Sequence, residues 1–401
     1  MKVTFISFMG SKNLGDLLIV NQLEKKLLYD CSIERYDFNL RKYVSNDNQI
    51  QLEYPYIENM KKRKLKQFYN DNLRKKTFLD LLHTLRVKKQ IDFNVGNSDF
   101  ELDIQNSDFV LVGGGNAIFD LTPHSDSAYK FKKIIDIAKK YNKKVFVTSI
   151  GIGPFQNEKQ LKNTREILSQ AYKVTLRDEK SYQYIKDISN KPVLSIDPVF
   201  LMDENQIQDS KVADEKLTIG ICIIDLLLNK VEEGINKEYL SNLQKTIKKL
   251  SNNYQIILFS TEHKDYAAVD FVYEQLKSDH AIKKVELKNF DDINELYRTI
   301  DFLIGARMHS LIIAAAKGVP FVGLSWQDKV DQMFKMIEST NDVFDINSLK
   351  SKDDLLLQRV REKISDLESE KIKLKNIKTN NELLFKENIR IINDLKDSIK
   401  V

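Results

Sequence analysis

The sequence predicts an α/β protein of two doubly wound domains with a helical C-terminal tail. Short apolar runs rich in Val, Ile and Phe alternate with longer segments of helical periodicity. This alternation occurs twice, on either side of a polar stretch at Asp203–Lys216, and residues 351–401 are poor in Gly and Pro. Strands that alternate with helices form parallel sheets that are covered by helices on both sides.

The predicted elements divide the chain into three parts. In the first half the strand candidates are Lys2–Phe8, Phe109–Val112, Lys144–Ser149, Val174–Leu176 and Val193–Ile196. In the second half they are Leu217–Ile224, Gln255–Phe259, Lys284–Leu287, Phe302–Ile304 and Phe321–Leu324. We predict an N-terminal domain at 1–205, a C-terminal domain at 206–350 and a helical tail at 351–401. Ligands of such domains bind beyond the carboxyl ends of the strands, here in a cleft between the domains.

The composition argues against several classes of protein. The chain has 401 residues, and its net charge of +5 is too small for this length to indicate binding of nucleic acid. Cys31 and Cys222 are far apart, and no cluster of residues has the spacing of metal ligands, so we expect neither a metal nor a cofactor. The apolar N-terminal run ends in a turn at Gly10, and no run approaches the ~20 residues of a membrane span. We therefore expect a soluble, cytoplasmic protein.

Two segments interrupt the alternation. The first, at about 45–106, contains a basic stretch, Lys61–Lys89, with Leu, Phe and Tyr at the spacing of a helical face. A basic amphipathic helix can lie on an anionic membrane surface or bind an acidic acceptor, and it can equally pack on its own domain. The second segment is the tail, whose helices can pack back across both domains or mediate self-association into a homo-oligomer. The sequence leaves both choices open.

The loop after the first strand resembles only the start of a phosphate-binding loop. Gly10 and Gly15 have the spacing of that motif, but Asp16 stands where it needs a lysine, and an acid there would repel a nucleotide triphosphate. Asn13 and Asp16 are instead placed to cap the next helix or to contact a hydroxyl group of a substrate.

Glycines follow the second and third predicted strands. They allow a backbone to approach a ligand closely and to form an anion-binding nest, or they serve as tight turns. The candidate binding residues in these two loops are Gly113, Gly114, Gly115, Asn116, Gly151 and Gly153.

Charged side chains follow two further strands. Arg177 comes directly after Val174–Leu176, so we expect it near the cleft, unless it forms an ion pair with Asp178 or Glu179. His263 follows Gln255–Phe259, where a position in the cleft and a position on the surface are equally compatible with the sequence.

The segment Gly305-Ala-Arg307-Met-His309-Ser310 gives the strongest site prediction. A buried strand ends at Gly305, and a helix begins near Arg307, so both Arg307 and His309 fall in the first helical turn. The free N–H groups and the dipole of that turn attract anions, and a guanidinium adds a two-point donor for phosphate or carboxylate. His309 adds a group suited to acid–base catalysis, and Ser310 lies beside it.

Together these motifs resemble the polysaccharide pyruvyltransferase family. The matching pieces are Asn13-Leu-Gly15-Asp16, Val112-Gly-Gly-Gly115-Asn116, Ser149-Ile-Gly-Ile-Gly153-Pro154, Leu176-Arg177-Asp178-Glu179, Ser181, Asp197-Pro198 and Gly305-Ala-Arg307-Met-His309-Ser310. They occur in the family's order between about Lys2 and Trp326. The resemblance implies two Rossmann-like domains similar to those of GT-B glycosyltransferases. By position, it also implies that Arg177 and Arg307 bind the donor and that His309 is the catalytic histidine.

The resemblance further implies phosphoenolpyruvate as donor and a sugar of a surface polysaccharide, or its lipid-linked precursor, as acceptor. The residues suit this chemistry, because two arginines and a helix N-terminus match a carboxylate and a phosphate, and ketal formation needs a proton donor. The alternatives are a nucleotide-sugar glycosyltransferase of similar fold, a non-catalytic scaffold, and pyruvyl transfer to a small metabolite.

Overall fold

The structure is a computed structural model, and it describes residues 1–44, 77–204, 216–229, 231–346 and 349–400. The prediction of a doubly wound α/β protein is confirmed. Two separate parallel sheets are each covered by helices, and two further helices form the C-terminal tail.

The first lobe is built on a seven-stranded parallel sheet with the order β2-β1-β3-β5-β6-β7 and β4 paired to the far part of β5. Its strands are β1 (Lys2–Ser7), β2 (Ser32–Asp37), β3 (Phe109–Gly113), β4 (Asn116–Asp120), β5 (Lys144–Phe155), β6 (Lys173–Leu176) and β7 (Val193–Leu194). Its helices are α1 (Leu14–Leu27), α2 (Thr77–Gly96), α3 (Phe100–Asn106), α4 (Tyr129–Lys140), α5 (Glu158–Leu168) and α6 (Glu179–Ile185).

The second lobe has a six-stranded parallel sheet with the order β10-β9-β8-β11-β12-β13. Its strands are β8 (Thr218–Cys222), β9 (Gln255–Phe259), β10 (Ile282–Lys284), β11 (Phe302–Gly305), β12 (Phe321–Ser325) and β13 (Val343–Asp345). Its helices are α7 (Glu233–Ser251), α8 (Tyr266–Leu276), α9 (Phe290–Thr299), α10 (Met308–Lys317) and α11 (Asp328–Met336). The tail consists of α12 (Leu349–Ser365) and α13 (Leu367–Lys400).

Strand β5 is longer than the sequence predicted. We expected it to end at Ser149, but it continues to Phe155, with a break in register between Val147 and Ile150. Ser149 itself has a positive φ of 50° at this irregularity. Gly151 and Gly153, which we interpreted as a loop after the strand, therefore lie within it, and Gly151 pairs with Asn116 of β4.

The tail packs back across both lobes, which answers one of the questions that the sequence left open. Helix α13 contacts α1 of the first lobe, α10 of the second, and the short 3-10 turn Pro198–Leu201 between them. Leu18, Phe200, Ile313 and Ile392 belong to one buried apolar cluster that these elements share. A core that spans both lobes fixes their relative position and so fixes the geometry of the cleft.

The predicted basic insertion is described only in part. Residues 45–76, and with them most of the basic stretch at Lys61–Lys89, lie outside the described residues. Helix α2 packs on its own lobe, where Lys88 pairs with Asp126 at 2.5 Å, while Phe78, Leu82 and Phe93 are exposed on its outer side. Contact with a membrane surface stays a prediction. In the part of the chain that the structure describes, no helix combines the length and the apolarity that a bilayer span needs.

Candidate active site

His309 lies where the two lobes touch. It is the second residue of α10, and its imidazole rests on the backbone of the other lobe. A Cβ atom built on Gly15 would stand only 2.0 Å from Nδ1 of His309. The loop after β9 also joins the two lobes here, since the carbonyl of Thr261 accepts a hydrogen bond of 3.1 Å from the N–H of Leu14. Glycine at position 15 is therefore required by a side chain of the opposite lobe.

The other nitrogen of this imidazole, Nε2, is available to bond a ligand. Nε2 of His309 is buried and, among the residues that the structure describes, has no hydrogen-bond partner. The nearest carboxylate oxygen, Oδ2 of Asp197, is 3.7 Å away. A buried polar atom without a partner is uncommon in a folded protein and is typical of a position that a ligand completes.

Asp197 connects the histidine to an arginine. Its Oδ2 accepts a hydrogen bond of 3.0 Å from Nη1 of Arg177, and its Oδ1 accepts one of 3.1 Å from the N–H of Val199. Burial opposes ionisation of this carboxyl group, but His309 and Arg177 outweigh it and hold the pKa of Asp197 below its ordinary value. Asp197 is thus a fixed anion between two basic side chains. The sequence marked Asp197-Pro198 as a motif but gave Asp197 no role.

Arg177 leaves the end of β6 and crosses the backbone of β5. A Cβ on Gly151 would meet Nε of Arg177 at 2.9 Å and Oδ1 of Asn116 at 3.0 Å. Glycine at position 151 therefore allows the guanidinium and the amide to lie on the strand. Nε of Arg177 is also 3.6 Å from Asp178, so the ion pair that we considered as an alternative exists beside the shorter contact with Asp197.

Arg307 is held by the loop after β9. Its Nε and Nη2 each donate a hydrogen bond of 2.7 Å to the two carboxylate oxygens of Asp265, and its Nη1 is 2.6 Å from Glu262. The guanidinium is almost fully buried and lies 5.9 Å from the ring of Trp326. In this arrangement Arg307 orders the loop that touches Leu14. Direct contact between Arg307 and a donor stays a prediction.

A cleft of about 570 Å³ opens between the lobes beside these residues. Its polar side carries the cations of Arg177, Lys180 and Lys329 and the carboxylates of Asp178, Asp197 and Asp328, and Asn116 and Gly153 also line it. Its apolar side includes Phe119, Met308, Ile312, Met333 and Met336. Lys180 of α6 pairs with Asp328 of α11 at 2.5 Å and so joins the two walls. The cleft combines positive charge with apolar surface, which suits a small organic anion.

Lys329 is the functional candidate that sequence reasoning missed. It is the second residue of α11, just beyond the carboxyl end of β12, and its ammonium lies 5.9 Å from the ring of Trp326. Burial lowers the pKa of Lys329, and the positive charges of Arg307 and Arg177 lower it further, to about 8. The sequence signal was its place in the first turn of the helix that follows β12, but no motif surrounds it.

Three of the glycines that we predicted to bind a ligand face side chains of their own lobe. Gly113, Gly114 and Gly115 leave room for side chains of the first lobe, since Cβ atoms there would meet Leu23 at 2.6 Å, Ile19 at 2.0 Å and Phe8 at 2.2 Å respectively. Gly114 and Gly115 also have positive φ angles of 79° and 65°. Gly113 and Gly114 let α1 approach the sheet closely, and Gly115 makes room for Phe8. The next residue, Asn116, donates a hydrogen bond of 3.2 Å to the carbonyl of Gly153 at the cleft.

Asn13 and Asp16 flank the contact between Gly15 and His309. The side chain of Asn13 caps α1 by accepting a hydrogen bond of 2.9 Å from the N–H of Gly15. Asp16 accepts one of 3.0 Å from Ser11. Burial raises the pKa of Asp16 above its ordinary value, although the charges of His309 and Arg177 counter part of this effect.

Of the predicted site residues, Asn116, Gly153 and Arg177 line the cleft itself, and His309 and Arg307 lie behind this lining. Ser310 and His263 do not line it either. Ser310 is fully buried and donates a hydrogen bond of 2.7 Å to the carbonyl of Arg307 within the first turn of α10. His263 is partly buried, its ring is 6.0 Å from that of Tyr266, and burial lowers its pKa. Within the described ranges no three His, Cys, Asp or Glu side chains are arranged to hold a metal ion.

Solved structures of similar fold are sugar-nucleotide enzymes and glycosyltransferases. A putative UDP-N-acetylglucosamine 2-epimerase from Listeria monocytogenes is 11% identical, with a TM-score of 0.54 over 93% of this chain and 90% of that chain. Sucrose-phosphate synthase from Thermosynechococcus elongatus is 10% identical, with a TM-score of 0.53 over 100% and 99%. HepE from Anabaena, in complex with UDP and glucose, is 10% identical, with a TM-score of 0.53 over 99% and 100%. At these identities the likeness establishes the two-domain GT-B fold alone.

The sequence itself gives the more specific comparison. No curated protein matches the chain. The family model for polysaccharide pyruvyl transferase matches residues 13–328, a segment that contains both lobes of the cleft and includes Asp16, Arg177, Asp197 and His309. The chain belongs to the polysaccharide pyruvyl transferase family.

Proposed function

We propose that this protein transfers the pyruvyl group of phosphoenolpyruvate to a sugar of a surface polysaccharide or of its precursor, forms a cyclic ketal and releases phosphate. The observation that carries this proposal is the position of Asp197 between Arg177 and His309 beside a cleft lined by Arg177, Lys180 and Lys329. Family membership supports the same reaction class.

Phosphoenolpyruvate carries a phosphate and a carboxylate, so its binding requires several cations or N–H groups. Arg177, Lys180 and Lys329 supply positive charge along one side of the cleft, and Asn116 supplies an amide. A guanidinium binds such oxygens at two points, whereas an ammonium acts as a compact charge. The apolar side of the cleft, with Met308 and Ile312, suits the methylene group of the donor.

The reaction begins with a proton transfer from His309. Nε2 of its imidazolium protonates the methylene carbon of the donor, and the electron pair of the double bond forms the new C–H bond. The adjacent carbon becomes oxocarbenium-like, and Asp197 balances the charge of the imidazolium and orients it. One sugar hydroxyl attacks that carbon and loses its proton. Phosphate then leaves with the C–O bonding pair, and a second hydroxyl attacks the same carbon, loses its proton and closes the ketal ring.

We assign to Asp16 the role of accepting a proton from a sugar hydroxyl. A carboxyl group with a raised pKa is a stronger base when ionised, and Asp16 is near enough to His309 and Arg177 to feel their charges. We assign the donor to the side of Arg177 and Lys329 and the attacking hydroxyl to the side of Asp16. The reaction as written needs no metal and no cofactor.

The acceptor is a sugar hydroxyl pair, and the polymer, its lipid-linked precursor and a small metabolite all offer one. A nucleotide-sugar donor is the rival that the GT-B fold allows. Intact Arg177, Asp197 and His309 weigh against a purely structural role, because a scaffold has no need of a buried imidazole with a free nitrogen.

Donor binding separates these functions. Trp326 is the single tryptophan of the chain and lies beside Arg307 and Lys329, so its fluorescence reports on the cleft. We expect phosphoenolpyruvate to change this emission saturably and UDP-sugars to leave it unchanged. We also expect phosphate release from phosphoenolpyruvate with some members of a sugar panel and none with His309→Ala. Saturable binding of a UDP-sugar without binding of phosphoenolpyruvate would refute the proposal.

A further inference from the structure

The side chain of Asn388, in the tail, is buried against the sheet of the first lobe. It belongs to α13, it is 0% exposed, and it lies outside the segment 13–328 that the family model matches. Its Oδ1 accepts hydrogen bonds of 2.6 Å from Thr175 and 3.0 Å from Thr148. Its Nδ2 donates to the hydroxyl of Ser195 and, at 3.5 Å, to that of Ser149. One amide therefore connects the tail to the strand β5, the strand β6 and the chain just beyond β7.

The residues that Asn388 contacts have a regular relation to the cleft. Thr175 stands two positions before Arg177, and Ser195 stands two positions before Asp197. Ser149 stands two positions before Gly151, whose backbone supports the guanidinium of Arg177. Alternate residues of an extended chain project to the same side, at about 3.3 Å per residue along it. The amide of Asn388 thus bonds residues two positions before Arg177 and Asp197, and it also bonds Ser149 in the irregular backbone just before Gly151.

The chain around these bonds needs such support. Ser149 has a positive φ, and β5 loses register there, so the backbone is irregular immediately before Gly151. Strand β7 has only two residues, Val193 and Leu194, and the N–H of Ser195 bonds to the carbonyl of Leu176. Asp197 therefore follows a very short strand. Few ladder bonds hold it in place, and the side-chain bond from Ser195 to Asn388 adds to them.

We propose that Asn388 is a positioning residue that holds Arg177 and Asp197 in the geometry needed for anion binding and proton transfer. The amide is suited to this task because it accepts from two threonine hydroxyls and donates to two serine hydroxyls, a combination that no aliphatic side chain offers. The tail thereby contributes to the active site as well as to the core between the lobes. This inference rests on the proposed function for its donor-binding and catalytic readouts, but not for the exchange measurement.

The variants are Asn388→Ala and the milder Ser195→Ala. The second removes only the hydrogen bond between Asn388 and Ser195, on the segment that leads to Asp197. Asn381→Ala is the matched control, since Asn381 is also a buried asparagine of α13 but donates to the carbonyl of Ile377 in its own helix. Three quantities are measured at a temperature where all variants are folded. They are the dissociation constant of phosphoenolpyruvate from Trp326 fluorescence, kcat and KM in phosphate release, and hydrogen exchange at the N–H of Val199.

We expect Asn388→Ala to weaken donor binding by roughly tenfold, the size of one lost buried hydrogen bond, and to lower kcat as well. Ser195→Ala should show a smaller loss of the same kind. Both should accelerate exchange at Val199, whose N–H bonds to Asp197, and Asn381→Ala should change none of the three quantities.

Wild-type affinity, kcat and exchange in folded Asn388→Ala or Ser195→Ala would overturn the inference, as would equal losses in Asn381→Ala. The exchange measurement uses no substrate. If the wild-type protein failed to bind phosphoenolpyruvate, the proposed function would fall, while exchange at Val199 would still decide whether Asn388 positions Asp197.

Discussion

Gly15 of the first lobe lies directly against the imidazole of His309 in the second, with no space between them for a methyl group. The first turns of α1 and α10 thus meet, with the backbone of Gly15 on one side and the imidazole of His309 on the other. The contact sets the position of His309 relative to Asp197 and the cleft.

Gly15→Ala should displace His309. A methyl group at this position would overlap the ring, so the imidazole must move by an ångström or more, which commonly costs about 100-fold in rate. We expect kcat to fall by that order while the thermal unfolding temperature changes little. Gly234→Ala is the matched control, because a Cβ at Gly234 meets nothing within 4 Å. An active Gly15→Ala enzyme would show that the position of His309 is unimportant.

The sequence indicated a turn at Gly10–Asp16 but not the reason for its glycine. Gly15 is the second residue of α1, so it is not a loop residue, and the side chain that requires it is almost three hundred positions away. The motif Asn13-Leu-Gly15-Asp16 contains the glycine, but the reason for it, contact with His309, is visible only where the two lobes pack together. The same holds for Gly151, whose missing Cβ makes room for Arg177 and Asn116.

Donor binding should weaken above pH 8 because of Lys329. The ammonium form attracts the donor, and a pKa of about 8 means that this form is lost as the pH rises through 8. Above that value kcat/KM for phosphoenolpyruvate should fall by about tenfold for each pH unit through this group.

Lys329→Met should show low kcat/KM at pH 7 and no break near pH 8. Lys335→Met, on the exposed side of the same helix, should keep the wild-type profile. A break near pH 8 that persists in Lys329→Met would assign it to another group.

Asp265→Asn should reduce stability. Asp265 is fully buried and holds Arg307 by two hydrogen bonds of 2.7 Å, so the change leaves a buried guanidinium with one carboxylate instead of two. We expect the free energy of unfolding to drop by about 3 kcal/mol, measured by urea titration.

The control is Asp270→Asn, which breaks a solvent-exposed pair with Lys284 and should cost less than about 1 kcal/mol. Equal effects of the two changes would mean that Arg307 is not held in this way and is free to contact the donor.

Asp16→Asn should separate catalysis from donor binding. The amide keeps the shape of the side chain but cannot accept the proton of the sugar hydroxyl. We expect kcat to fall by about 100-fold while the dissociation constant of phosphoenolpyruvate stays near the wild-type value. Ser11→Ala, which removes the hydrogen bond to Asp16 and the one from the N–H of Asn13 but keeps the carboxylate, should retain most of the activity. Normal kcat in Asp16→Asn would assign the base elsewhere.

The fold class was predictable because it depends on local patterns. Alternating apolar runs located most strands, but β2, β4 and β13 were missed. Strand β2 reads Ser-Ile-Glu-Arg-Tyr-Asp, a polar sequence typical of a sheet edge, and β4 follows three glycines that suggested a loop. Strand β10 was placed two residues late, at Lys284–Leu287 instead of Ile282–Lys284.

The site was predictable only where strand ends and helix starts coincide. Arg177 and His309 stand at such junctions and lie near one cleft, joined through Asp197. The ion pairs of Arg307 with Asp265 and Glu262 were hidden from the sequence because the two carboxylates belong to a different loop. Asn388 was hidden for a similar reason, since its partners lie about two hundred positions earlier in the chain.

The origin of the methyl group in the product tests the central claim most directly. The reaction is run in D₂O with phosphoenolpyruvate and a sugar that supports phosphate release, and the pyruvyl ketal is examined by NMR. Proton delivery from His309 predicts a ketal methyl group that carries one deuterium, with no product from His309→Ala. A ketal methyl group without solvent deuterium, or unchanged product formation by His309→Ala, would contradict the account.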